Sequence, residues 1–255
     1  MRRREKFVIS SILLSGGLLG VQYVPLEWRY LSIAGLMFLS YLVSAWALSD
    51  DLQWHEWLTI LPLPTIYTTS LAFFYFLLPS NLLSRIGIIS IFGVGIYALF
   101  LTSNIYSVAK GRTIQLLYAA RAVGLFFVLI ASLLFTNSIF SLKLPIYLSS
   151  FAMFLVHFPL IFMSLWSVNL EDKIKLDLVV FCTLITVLIT ELSILLLLLP
   201  LAVWHSSLFI MGFIYISLGV AHSLLRGRLF SNTSREYSLV AFFILFLFFI
   251  FFPLK

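Results

Sequence analysis

Residues 176–201 read LDLVVFCTLITVLITELSILLLLLPL, an apolar run that contains only two charged residues, Asp177 and Glu191. An α-helix rises about 1.5 Å per residue, so roughly 20 apolar residues cross the hydrocarbon core of a bilayer. A surface helix of a soluble domain has one apolar stripe and one charged face, and this run has no charged face. It therefore predicts a transmembrane helix.

Eight other blocks along the chain have a similar length and character. With the first run they occupy residues 7–24, 30–48, 58–79, 86–106, 114–135, 144–168, 176–201, 206–225 and 237–253. The connections between blocks are too short to fold as a soluble domain. We therefore predict an all-α, polytopic transmembrane helix bundle with about nine spans, in which residues 1–255 form a single integral membrane domain.

The composition supports this class and excludes others. Hydrophobic residues make up 62% of the 255, and the chain carries only 16 Lys and Arg and 10 Asp and Glu. About a quarter of the residues in a soluble domain are charged, so a soluble enzyme and a disordered chain are both excluded. The lone cysteine, Cys182, cannot form an intramolecular disulfide or a CxxC metal pair.

Basic residues set the expected orientation, because short cytoplasmic loops are enriched in Lys and Arg. With the N-terminus in the cytoplasm and the C-terminus outside, eleven basic residues are cytoplasmic: Arg2, Arg3, Arg4, Lys6, Lys110, Arg112, Lys173, Lys175, Arg226, Arg228 and Arg235. Four lie outside: Arg29, Arg85, Lys143 and Lys255. If the third block, which contains Pro62 and Pro64, dipped in without crossing, this asymmetry would disappear.

The expected location is the cell (cytoplasmic) membrane. The first block follows a basic start but precedes no small-residue cleavage site, so we interpret it as an uncleaved signal anchor. The net charge of +6 favours contact with anionic lipid headgroups on the cytoplasmic face. Lys110 and Arg112 lie together in one of the predicted cytoplasmic loops. No soluble basic module is present to bind nucleic acid, and no cofactor motif is recognised.

Three ionisable side chains lie within predicted spans: Arg121, His157 and Glu191. A charge inside the bilayer is costly unless it has a partner or water, so such residues are candidates for function. His157 and Glu191 lie at compatible depths, and Arg121 would have to extend toward them. We predict an intramembrane polar network of Arg121, His157 and Glu191. The alternative is that each is accommodated locally, by snorkelling or by bonds to the backbone.

A second cluster, Ser49-Asp-Asp-Leu-Gln-Trp-His-Glu-Trp57, lies in a predicted cytoplasmic loop. Asp51 and His55 are four residues apart, so on a helical turn both could face one metal ion, with Glu56 as a further ligand. No HExxH, DDxxD or EF-hand motif is completed. The alternative interpretation is a capped interfacial turn in which Trp54 and Trp57 lie at headgroup depth.

Small and hydroxyl residues form stripes on several blocks. Gly16 and Gly20 form a GxxxG pattern with Ser11 and Ser15 nearby, and we expect this face to pack within the bundle, dimerisation through it being the alternative. The remaining stripes are Gly87, Ser90, Gly93 and Gly95; Thr183, Thr186, Thr190 and Ser193; and Gly212, Tyr215, Gly219 and His222. We expect the hydroxyls to bond to neighbouring helices or to their own backbone, a hydrated substrate path being the alternative. The last block lacks small residues after Ala241 and is expected at the periphery.

Two stretches resemble an uncharacterised multi-pass membrane protein family of candidate-phyla-radiation bacteria. They run from Gly95 to Gly124, around Asn104-Ile-Tyr-Ser-Val-Ala-Lys-Gly-Arg112, and from Trp57-Leu-Thr to Phe76-Leu-Leu-Pro79. The resemblance implies a bacterial cytoplasmic membrane. It brings no activity, cofactor or site residue.

Three functions agree with the sequence. The first is a non-enzymatic scaffold or accessory protein of an envelope process. The second is a small-solute or ion transporter or channel that uses Glu191 with His157 and Arg121. The third is a lipid-processing enzyme with a cytoplasmic-face site at Asp50–Glu56, which is disfavoured because acids, bases and nucleophiles are scarce in the outer loops. Protein partners, oligomeric state and any ligand are not specified by the sequence.

Overall fold

A computed structural model describes residues 3–78, 82–108, 116–170, 174–227 and 230–251. All regular structure in these residues is helical. A single 3-10 turn, Leu26–Trp28, precedes α2, and the α-helices in chain order are α1 (Arg3–Val21), α2 (Arg29–Leu48), α3 (Glu56–Thr59), α4 (Pro62–Tyr75), α5 (Leu82–Val108), α6 (Leu116–Ser141), α7 (Ile146–Trp166), α8 (Leu176–Leu198), α9 (Val203–Leu225) and α10 (Ser231–Phe251).

The helices coincide with the predicted blocks, and the multi-pass membrane character of the chain is confirmed. Eight helical segments of the described residues are long and apolar enough to cross a bilayer, from Arg29–Leu48 to Ser231–Ile250. The other long helix, α1, has 19 residues but begins with the charged run Arg3-Arg-Glu-Lys6. Its crossing, the exact number of spans and the orientation remain predictions.

Two prolines shape the third block. Pro62 and Pro64 lie in the first turn of α4, where backbone N–H groups have no acceptor within the helix and a missing N–H costs little. The short helix α3 precedes them, and together the segment from Glu56 to Tyr75 is long enough to span. The prolines therefore mark the start of α4, directly after the two-residue turn that separates it from α3.

The chain divides into two compact units, one up to Ala131 and one from Ser132, with the boundary inside α6. In the first unit α1 packs against α2 and α5, and α4 packs against α2 and α5. The core is aromatic: the Tyr67 ring stacks on Phe92 with centroids 5.8 Å apart and meets the edge of Phe127 at 5.1 Å. Phe7 of α1 stacks on Phe100 of α5 at 5.9 Å.

The expected packing of Gly16 and Gly20 within the bundle is wrong. Both residues are exposed, and a Cβ placed on either would meet no atom within 4 Å. Gly17 faces the bundle instead, with the Leu36 side chain 2.9 Å from its Cβ position. The small residues of α1 allow a close helix contact, but α2 makes that contact at Gly17, one residue away from the GxxxG pattern.

In the second unit α7 packs against α8 and α9, and α10 packs against α9. The glycine stripe of α9 accommodates α10: Ile244 lies 2.7 Å from a Cβ placed on Gly212, and the Tyr237 ring covers Gly219. The apolar window of α10 has no buried residue, so this helix is peripheral, as predicted.

Candidate functional site

The structure provides His157 with a complete set of partners. The imidazole is fully buried in α7, with Nδ1 2.8 Å from the Met153 carbonyl oxygen and Nε2 2.9 Å from the Ser132 hydroxyl oxygen. A carbonyl oxygen only accepts, so Nδ1 carries the proton and Nε2 accepts from Ser132. Thr136 Oγ1 lies 3.5 Å from the same nitrogen. A neutral imidazole is satisfied here without a carboxylate.

Glu191 lies on the exposed side of α8. It forms no hydrogen bond or ion pair with any described residue, and the structure does not bring it into contact with His157. The inward face of α8 is formed by Cys182, Thr186, Ile189 and Ser193, all of which are buried. Glu191 therefore points away from the helices of its own unit.

The hydroxyl stripe of α8 bonds to its own backbone. Thr183, Thr186 and Thr190 each donate to the carbonyl four residues earlier, at 2.7–2.9 Å. Ser193 donates to the Thr190 carbonyl at 2.6 Å. One of the two expected arrangements is thus observed, in which these hydroxyls satisfy themselves within the helix.

Arg121 is half-buried on the part of α6 that belongs to the first unit, whereas His157 and Glu191 belong to the second. Its guanidinium carbon lies 5.7 Å from the centroid of the Tyr118 ring. The network of Arg121, His157 and Glu191 stays a prediction.

Two ion pairs connect the acidic loop between α2 and α3 to α1. Arg3 forms an ion pair with Asp51, and Lys6 Nζ lies 2.7 Å from Asp50 Oδ1. The hydrogen bond and charge of Lys6 lower the pKa of Asp50. Trp54 is 90% exposed. An exposed ring beside these charges agrees with an interfacial loop.

Glu56 is fully buried, although it begins a short helix beside this loop. Its Oε2 accepts from the Gln53 N–H at 2.9 Å and from the Ser107 hydroxyl at 2.8 Å. The Glu56 N–H donates in return to the Gln53 carbonyl at 3.0 Å. This reciprocal pair resembles a capping box.

Asp51, His55 and Glu56 do not form a metal centre in the structure. Across the described ranges, no group of three His, Cys, Asp or Glu side chains is arranged to hold a metal ion. Asp51 is paired with Arg3, and Glu56 is directed toward Ser107 on α5. The contacts at this loop connect α1, α3 and α5. The Lys110 and Arg112 pair lies outside the described residues.

Sequence reasoning missed a cluster at the opposite end of the first unit, where α1 and α4 end and α2 and α5 begin. Arg29 lies with its guanidinium carbon 4.0 Å from the Phe76 ring centroid, and Arg85 lies 5.7 Å from that of Tyr23. The sequence signal was present, because these are two of the four basic residues assigned to the outer side. Their clustering depends on packing.

A groove of about 380 Å³ lies between α1 and α5 and is lined by Val8, Ser11, Ile12, Ser15, Gly93, Val94 and Tyr97. Its walls are mainly apolar, and the Ser11 hydroxyl donates to the Phe7 carbonyl at 2.7 Å. It contains none of the ionisable residues singled out by the sequence.

Comparisons with protein-family models, curated proteins and solved structures found no match. The resemblance to the uncharacterised bacterial family stays a prediction.

Proposed function

We propose that this protein is a non-enzymatic scaffold of the bacterial cytoplasmic membrane that pairs with a second copy of itself through the outer face of α8. The observation that carries the proposal is the exposed position of Glu191 within a leucine-lined face. The orientation proposed with it places Arg3 and Lys6 in the cytoplasm.

The outer face of α8 has the spacing of a helix-pairing seam. Leu184, Leu188, Glu191, Leu195 and Leu198 follow one another at intervals of four, three, four and three residues. The four leucines are 56%, 51%, 59% and 65% exposed. Alternating steps of three and four keep one stripe of a helix against its partner in a left-handed pair. In a two-fold pair both copies present the same stripe, so two copies can meet along it.

The carboxyl group of Glu191 favours pairing along this seam. It lies seven residues before the end of α8, about 10 Å along the axis by helical rise, and a carboxyl group at that depth needs a hydrogen-bond partner. In a parallel two-fold pair each Glu191 meets its equivalent, so each side chain can be the hydrogen-bond partner of the other. Polar side chains contribute about 1–2 kcal/mol to helix association in membranes.

The same observations favour a scaffold over the two alternatives. A transporter would use Glu191 beside a hydrated path, but this side chain lies on the outward surface of its unit. A lipid-processing enzyme at Asp50–Glu56 would need accessible acids, but Glu56 is buried and bonded to Gln53 and Ser107.

Oxidative cross-linking in native membranes tests the proposal. With Cys182→Ala as background, Leu188→Cys and Leu195→Cys should each give a disulfide-linked dimer. Leu155→Cys, 61% exposed on α7, is the matched control and should give none. In the Leu188→Cys chain, Glu191→Leu should lower the dimer yield by about tenfold, whereas Glu191→Gln should largely retain it.

Two results would contradict this function. One is equal cross-linking from Leu155→Cys and the two α8 positions, which would indicate random collision. The other is an unchanged dimer yield in Glu191→Leu, which would show that the Glu191 carboxyl group does not contribute to the interface.

A further inference from the structure

We propose that the end of the first unit opposite the Arg3–Asp51 pair binds a phosphate group through Arg29 and Arg85. This inference is independent of pairing through α8. The site is formed where α1 and α4 end and where α2 and α5 begin.

The four helix ends are close in space. Arg29, the first residue of α2, stacks on Phe76, the residue that follows α4. Arg85 in the first turns of α5 lies over Tyr23, just after α1. Tyr75 connects the two pairs, because its ring contacts Phe76 with centroids 6.5 Å apart and its hydroxyl is within electrostatic reach of Arg85 and Tyr23.

Buried donors at this end have no acceptor among the described residues. The Nε atoms of Arg29 and Arg85 and the amide nitrogen Nε2 of Gln22 are buried donors that form no hydrogen bond with these residues, and the Gln22 Oε1 acceptor is also unpaired. A buried donor without an acceptor destabilises the folded state, and more strongly when it is charged. Several such atoms in one cluster indicate a ligand that supplies acceptors.

The charge at this end is also uncompensated. Glu27 is the only carboxylate in residues 21–29 and 75–86, and it is exposed and makes no ion pair with the described residues. At the opposite end of the same unit Arg3 and Lys6 both have aspartate partners. Two guanidinium groups without a counter-charge favour an anion.

Phosphate matches the geometry of these groups. An arginine presents a planar fork of N–H donors, and ring stacking covers its face and leaves the fork free. Charge-assisted bonds from such forks to phosphate are short and strong. Tyr23, Trp28 and Tyr30 are 70%, 58% and 59% exposed, as expected for an aromatic belt at headgroup level. A lipid phosphate is thus the nearest source.

Thermal unfolding of the purified full-length chain in a zwitterionic detergent tests this site. Adding phosphatidylglycerol should raise the melting temperature more than adding phosphatidylcholine does. In the double variant Arg29→Gln/Arg85→Gln, the phosphatidylglycerol concentration that gives half of the shift in melting temperature should rise by about tenfold or more. Lys143→Gln removes a basic residue from another outer loop and should leave this phosphatidylglycerol concentration unchanged. Glu27→Gln should lower the concentration.

A separate arm replaces the lipid with inorganic phosphate at constant ionic strength. A shift that depends on Arg29 and Arg85 in this arm also supports the site and assigns it to free phosphate. If the double variant does not fold, Arg29→Lys and Arg85→Lys keep the charge but lose the fork, and each should weaken the response. The same lipid response in these variants, in the double variant and in the wild type would overturn the proposal.

Discussion

Asp50 accepts a hydrogen bond from the Lys6 ammonium group, with Nζ and Oδ1 2.7 Å apart, and this contact joins the α2–α3 loop to α1. It lowers the pKa of Asp50 in the folded state. A carboxyl group whose folded pKa lies below its unfolded pKa stabilises the fold above the unfolded value. That contribution is lost as the pH falls through the folded pKa.

We therefore predict that Asp50→Asn lowers the melting temperature in detergent slightly at pH 7 and that the difference from wild type shrinks as the pH falls below about 4. The pair is exposed to solvent, so the effect should also weaken with added salt. A double-mutant cycle with Lys6→Met isolates the pair. A difference that stays constant down to pH 3 would show that the carboxylate charge is not the cause.

The ionisable residues could be selected from sequence, but their partners could not. An ionisable residue in an apolar block is visible in the sequence, so Arg121, His157 and Glu191 were all identified. Whether such a residue faces inward depends on how neighbouring helices cross. His157 finds Ser132 and Met153, and Glu191 faces outward on α8. Glu56 illustrates the reverse case, because nothing in its loop indicated complete burial.

At the scale of the helices, α9 is shaped by its glycines. A Cβ on Gly219 would collide with the Tyr237 ring of α10, so we predict that Gly219→Val displaces α10 and destabilises the fold by about 1–3 kcal/mol. Gly20→Val is the matched control, since a Cβ there meets no atom within 4 Å. The midpoint of thermal unfolding in detergent measures both. Equal losses in the two variants would show that only helix propensity had changed.

Helix positions followed from block length because the bilayer thickness fixes how many apolar residues a span needs. The Gly16 and Gly20 interpretation failed for a different reason. GxxxG reports that a close approach is sterically allowed, but the crossing of α2 places Leu36 against Gly17. Pattern alone does not choose among adjacent faces.

At the scale of the whole molecule, charge separates the two ends of the first unit. One end carries Arg3 and Lys6 with their aspartate partners, and the other carries Arg29 and Arg85 over aromatic rings. The contacts divide the chain at Ala131 and Ser132, so the single domain expected from sequence stays a prediction. The orientation of the chain in the membrane also stays a prediction.

Cysteine accessibility in intact cells tests the nine-span orientation most directly. In a Cys182→Ala background, single cysteines are introduced on the predicted cytoplasmic side at Arg4, Gln53 and Lys175, and on the outer side at Tyr23, Lys143 and Ala202. A membrane-impermeant maleimide should label the outer three in intact cells and the cytoplasmic three only after permeabilisation. Labelling of Gln53→Cys and Lys175→Cys in intact cells, or of Arg4→Cys together with Tyr23→Cys, would contradict the account.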